Sequence, residues 1–165
     1  MGKRGRTAAV ATLVAMTLAG CGSGNDSSST PTTLPTPPPR AVVTFNVDPN
    51  PAVSEAQGGG WWKFKVNLEF YDTAGVGFTI NSVRTTLASS VTGAILLDYD
   101  YSVAKHVDAR GRTVLQFTSG EYRTLAGGGA SVKFIANLTD DKGNALTLSN
   151  QATVLHGTAP TTEQP

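Results

Sequence analysis

One cysteine, Cys21, stands in a chain of 165 residues. With one thiol no disulfide can close within the chain, so any fold must be held by its core. Charge is sparse at 15%, and 13 Lys and Arg against 12 Asp and Glu leave a formal net charge of +1. That balance argues against nucleic acid or an anionic lipid surface as a partner, since both require a basic patch. There are two histidines, His106 and His156, far apart in the sequence. A catalytic pair or a metal site needs closer partners than that. No serine lies in a nucleophile-elbow sequence, and the Asp-x-Asp-x-Asp-Gly calcium loop is missing. The glycines at 58–60 and 127–129 lack a strand-to-helix context and read as turns, not phosphate cradles. These absences point away from an enzyme and leave no cofactor and no metal implied.

What is present starts at the amino end. Lys3, Arg4 and Arg6 precede an uncharged run from Thr7 to Leu18, dominated by Ala, Val, Leu and Met. A dozen such residues is too short for a helix crossing a bilayer core of roughly 30 Å, but it fits the apolar part of a signal peptide. The run ends in Leu18-Ala19-Gly20-Cys21. This resembles the lipobox of bacterial lipoproteins: a leucine, two small residues that fit a peptidase site, and a cysteine whose thiolate takes up a lipid. The resemblance implies cleavage between Gly20 and Cys21, a diacylglycerol on the Cys21 sulfur and acylation of the new amino terminus. Two or more acyl chains hold a protein stably at a bilayer, at about 0.8 kcal/mol per buried CH₂. The implied location is the bacterial cell envelope, lipid-anchored, with the outer membrane or cell surface favoured over the inner membrane. Loss of residues 1–20 leaves ten Lys and Arg against 12 acidic residues, a charge of about −2.

Residues 21–40 form a lipidated cysteine followed by a Ser-, Thr- and Pro-rich linker. Its apolar content is too low to offset the entropy of ordering. Residues 41–157 carry the folding signals, and residues 158–165 read as a disordered tail. The strongest signal is Trp61 to Tyr71, WWKFKVNLEFY. Trp62, Phe64, Val66, Leu68 and Phe70 alternate with Lys63, Lys65, Asn67 and Glu69. Side chains alternate faces along a strand, so one face is apolar and the other wet. Val42 to Val47 reads as an earlier strand, ended by Asp48-Pro49-Asn50-Pro51, and Glu55 to Gly60 as a loop. Trp61 to Tyr71 is then the second strand. Val76, Phe78 and Ile80 mark a third, with Val83 out of phase and a bulge implied. Val91 to Tyr101 is weaker, a short strand and a crossing. Thr113 to Phe117, Val132 to Leu138 and Leu146 to Val154 follow, the last two joined by a turn at Asp140-Asp141-Lys142-Gly143-Asn144.

About seven strands in roughly 115 residues suggest an all-β sandwich. Glu69 to Val83 resembles the second and third strands of immunoglobulin-like modules in bacterial envelope lipoproteins. Leu125 to Asn144 resembles the last hairpin of fibronectin type III or immunoglobulin-like domains. The resemblance implies an antiparallel immunoglobulin-like β-sandwich, though the paired cysteines of antibody domains are absent. His106, followed by Asp108 and Arg110, reads as a solvated loop, and His156 as the frayed end of the domain. Asp98 and Asp100 share one strand face as edge charges, which sets Tyr99 and Tyr101 on the other as core or rim. Trp62 is in phase with the core. The residues open to ligand contact are Trp61 and Tyr71. The expectation is a membrane-anchored lipoprotein presenting a non-enzymatic sandwich to an envelope protein. The alternative is a glycan-binding module using exposed aromatics near Trp61.

Overall fold

A computed structural model of the chain describes residues 39–123 and 128–157. The signal segment, Gly20 and Cys21, the linker up to residue 38, and the tail from residue 158 lie outside the described residues. Every element is a β-strand: β1 Val43–Asp48, β2 Ala52–Gly58, β3 Trp61–Asp72, β4 Phe78–Ser89, β5 Ile95–Val107, β6 Arg112–Thr118, β7 Ala130–Asp140 and β8 Ala145–His156.

β3 follows its sequence pattern. Phe64, Val66, Leu68 and Phe70 are buried, while Lys65 and Tyr71 are exposed. It is the third strand, not the second, because the stretch expected to be a loop supplies β2. Ala52 and Ser54 of β2 are fully buried, and Ser54 donates a 3.0 Å hydrogen bond to the Leu155 carbonyl. Small residues conceal a strand from a periodicity search, since they carry too little apolar surface to mark a face.

Hydrogen bonding runs β1-β3-β2-β8-β7-β4-β5, with β6 pairing to the other side of β3. β1 pairs with β3 over residues 67–72 and β2 with residues 61–64. The prolines Pro49 and Pro51 separate the two strands, and both preceding peptide bonds are cis. β2 pairs in parallel with β8, Ala52 opposite Val154, so the sheet is mixed and not wholly antiparallel as expected. That pairing requires β2 to leave the end of β1 and run alongside a strand from the far end of the chain. The expected bulge is present. The β4 register shifts between Ile80 and Ser82 against both β5 and β7, which restores Val83 to the buried face.

The sheet folds back on itself at β2. Phe117 of β6 meets Phe134 of β7 edge-on at 5.2 Å, although these strands share no ladder. Phe64, Phe70, Phe78, Ile80, Val132, Phe134 and Leu138 fill the space between. Closure stops there, because β5 and β6 are not hydrogen-bonded to each other. They bound an open seam.

Two buried carboxylates fasten one end. Asp72 accepts backbone N–H bonds from Ala74, Val76, Gly77 and Arg110, at 2.8 to 3.2 Å. Burial pushes its pKa up, but the four donors outweigh burial and hold it below the ordinary value. Asp140 does the same for the β7–β8 hairpin. It accepts from the backbone of Ala41, Lys142 and Asn144 and from the Asn144 side chain. Burial opposes the shift there too, and the Asn144 side chain and the three N–H groups bring its pKa to about 2.

Candidate functional site

The two residues singled out in the sequence lie at opposite ends of β3. Trp61 and Tyr71 are both on its outer face, 38% and 44% exposed. At about 3.3 Å per residue they stand roughly 33 Å apart along the strand, so they do not form one aromatic platform. Trp61 follows the Gly59-Gly60 turn, and the Arg123 guanidinium lies 4.3 Å from its ring centroid, a cation–π contact. Trp62 points inward and is half-buried. It stacks on His156 at 4.2 Å with a 5° interplanar angle. His156 is therefore part of the packed end and not a frayed terminus, and burial depresses its pKa.

Tyr71 borders a shallow hollow of about 370 Å³ lined by Thr44, Asn46, Glu69 and Arg112. The register explains the grouping: Thr44, Tyr71 and Arg112 form one cross-strand row, and Asn46 and Glu69 belong to the next. Arg112 donates to Glu69 at 2.7 Å. The hollow thus combines an exposed ring with carboxylate, guanidinium and amide groups.

A larger space, about 500 Å³, occupies the seam between β5 and β6. Leu68 and Val83 form its floor, Tyr101, Ser102 and Val103 one wall, and Leu115 to Thr118 the other. The sequence weighed Tyr99 and Tyr101 only as core or rim. Their rings are 6.0 Å apart, and Tyr101 meets Phe117 edge-on at 5.6 Å across the seam. Tyr99 closes the seam beside Gly120, where a Cβ would lie 3.0 Å from its hydroxyl. Both tyrosines face inward, yet they are 43% and 37% exposed because no strand among the described residues lies over them. Partial burial raises the Tyr101 phenol pKa, with the neighbouring Tyr99 adding to the effect. No sequence signal identifies this wall, since the alternation of β5 is ordinary and only the missing opposite strand makes it a surface.

The remaining polar candidates are structural. Arg84 grips Asp98 through two hydrogen bonds, the shorter 2.7 Å, on the outer face of β5. His106 lies within β5 and not in a loop, because the strand runs to Val107 and pairs it with Thr79. Its ring is 3.4 Å from Asp108 and 3.7 Å from Asp141, all on the surface. Tyr122 is buried against Phe64, and burial pushes its phenol pKa up. Among the described residues no partner lies within hydrogen-bonding geometry of its hydroxyl, although the Ser54 hydroxyl offsets part of that shift. Among the described residues no three His, Cys, Asp or Glu side chains are grouped to hold a metal.

No family model matches the chain, and no curated protein matches it. Solved structures do resemble it in fold. A structural-genomics target determined by X-ray crystallography is 8% identical, with a TM-score of 0.52 over 74% of this chain and 91% of its own. The putative ApaA protein of Bordetella pertussis is 9% identical, with a TM-score of 0.50 over 74% of this chain and 97% of its own. At such identities the likeness concerns the fold alone.

Proposed function

We propose that the chain is a bacterial lipoprotein, anchored through a lipid on Cys21, that presents an immunoglobulin-like β-sandwich for protein contact in the cell envelope. Its protein role is non-enzymatic binding, and the outer membrane or cell surface is the favoured location. The immunoglobulin-like reading rests on the facing Phe117 and Phe134 and on the order of pairing: β3 with β6, β4 with β7, β7 with β8. The observation that carries the contact role is the seam, a mainly apolar space of about 500 Å³ flanked by two strand edges that are unpaired among the described residues. Surfaces of this kind are uncommon on proteins without a partner. The anchor is tested by Cys21→Ser. Lipid labelling should be lost and the chain should leave the membrane fraction; continued membrane retention would refute the anchor.

A second reading is favoured by the Tyr71 hollow. An exposed ring beside Asn46, Glu69 and Arg112 suits a sugar, which presents an apolar face for stacking and hydroxyls for planar hydrogen-bonding groups. Its centre is Tyr71 and not Trp61, whose ring is engaged by Arg123. Polysaccharide pull-down by the wild-type chain, lost in Tyr71→Ala with the fold intact, would support it. Absence of binding to a glycan array would sink it.

A further inference from the structure

The fold is one strand short at the seam. β4, between β5 and β7, is paired on both edges, whereas among the described residues β6 is paired only to β3. β5 shares no ladder with β6 among the described residues, and its inward Tyr99 and Tyr101 stay partly exposed. The free edge of β6 can be assigned residue by residue. Ser119 donates its N–H to Phe64 and Asp72 donates to Gly111, so 64/119 and 72/111 are hydrogen-bonded pairs. In an antiparallel ladder such pairs alternate with pairs whose N–H and C=O groups point away. Thr113, Leu115 and Phe117 thus face β3, and Val114, Gln116 and Thr118 direct their backbone groups into the seam.

We infer that β6 accepts an extended strand from another protein, which pairs with Val114, Gln116 and Thr118 and lays alternate apolar side chains onto Tyr101, Val103 and Leu115. The inference deepens the protein-contact reading and rests on it. An extended segment suits the seam because it supplies both things the seam lacks, backbone partners for an edge and apolar side chains at every second residue.

The chain itself offers no such strand outside the described residues. Residues 21–38 contain one large apolar residue, Leu34, and several prolines that cannot donate. Residues 158–165 contain no large apolar residue, 124–127 are too few, and 1–20 are expected to be removed. A second copy is disfavoured by charge. Docking β6 on β6 would turn the two β5 edges toward each other and bring Asp100 of each copy toward its like, Asp98 being already paired with Arg84. The β6 side has the opposite character. Lys65, which has no ion pair among the described residues, stands on the outer face opposite Thr118, whereas Arg112 is engaged by Glu69. The partner strand should therefore carry acidic residues on its outer side.

The test uses the full chain in detergent, labelled for residue-resolved amide exchange. The probe is a synthetic seven-residue peptide, matching β6 in length, with valine at alternate positions, threonine between and glutamate at one end. Strand addition should slow exchange at Val114, Gln116 and Thr118 by about ten-fold or more and leave Thr113, Leu115 and Phe117 unchanged, since these are already bonded. Gln116→Pro removes an N–H that points away from β3, so the fold should persist while peptide affinity falls about ten-fold. Independently of that variant, methylating the peptide's nitrogens on its β6-facing edge should abolish binding. Binding that survives methylation, or protection without alternation, would overturn the inference, as would no protection at all. So would protection before peptide is added, which would identify a second copy if concentration-dependent and the chain's own segment if not. Peptide signals at Tyr71 and Thr44 with the β6 edge unprotected would overturn strand addition and leave the contact reading standing. The anchor is scored separately by Cys21→Ser.

Discussion

β7 and β5 flank the same strand, β4, and both pair with it in antiparallel register. In β7 every second residue is buried from Ala130 to Asp140, whereas in β5 only Val107 is buried. β7 pairs with β8 on its other side, whereas β5 is an edge strand, but the missing ladder alone does not expose an inward side chain. They also differ in what lies opposite, since Phe134 of β7 meets the Phe117 ring across the core and β5 faces the open seam. Burial in a folded-over sheet is set by the facing layer, and a half-covered strand is where a partner has most to gain.

The largest effect that would sharpen this contrast is Phe134→Ala. Phe134 is fully buried on β7, and its truncation should lower unfolding free energy by about 3–5 kcal/mol in urea titrations. Acid comes next. Asp72 and Asp140 have folded pKa values below the 3.8 of the free side chain, so the unfolded chain takes up protons first. Their stabilisation is complete above about pH 4 and lost as pH falls toward the Asp140 value of about 2. Thermal melts should show the midpoint dropping through that window, with a smaller drop in Asp140→Asn. Tyr101→Ala, on β5, should cost about 1 kcal/mol or less, as for a surface position. A cost equal to that of Phe134→Ala would mean the seam is filled in the protein as isolated, and the contrast would break. The smallest effect is expected for Trp61→Ala, about 0.5 kcal/mol from one exposed cation–π contact.

The pattern of β3 was legible because both causes of alternation, pleat and burial, are present along most of its length. The β7–β8 hairpin was legible for a similar reason, since Asp140 to Asn144 contains the turn residues and the carboxylate that caps them. β2 was not, because Ala52, Ser54 and Ala56 are too small to mark a face. The parallel pairing of β2 with β8 was not, because residues a hundred positions apart leave no local trace. Of the two residues set aside for ligand contact, Tyr71 lies at a polar hollow and Trp61 lies under Arg123.

The sequence by itself determined an all-β chain, the position of most of its strands, the bulge before Val83 and the expectation of a lipid on Cys21. These are properties of residues near one another, expressed through a period of two, turn chemistry and a four-residue motif. Only the tertiary structure decided that Tyr99 and Tyr101 are partly exposed, that His156 stacks on Trp62, and that β6 keeps an edge unpaired among the described residues. Each depends on which strand lies beside or opposite another, and that follows from the global folding of the sheet at β2 and not from any local stretch.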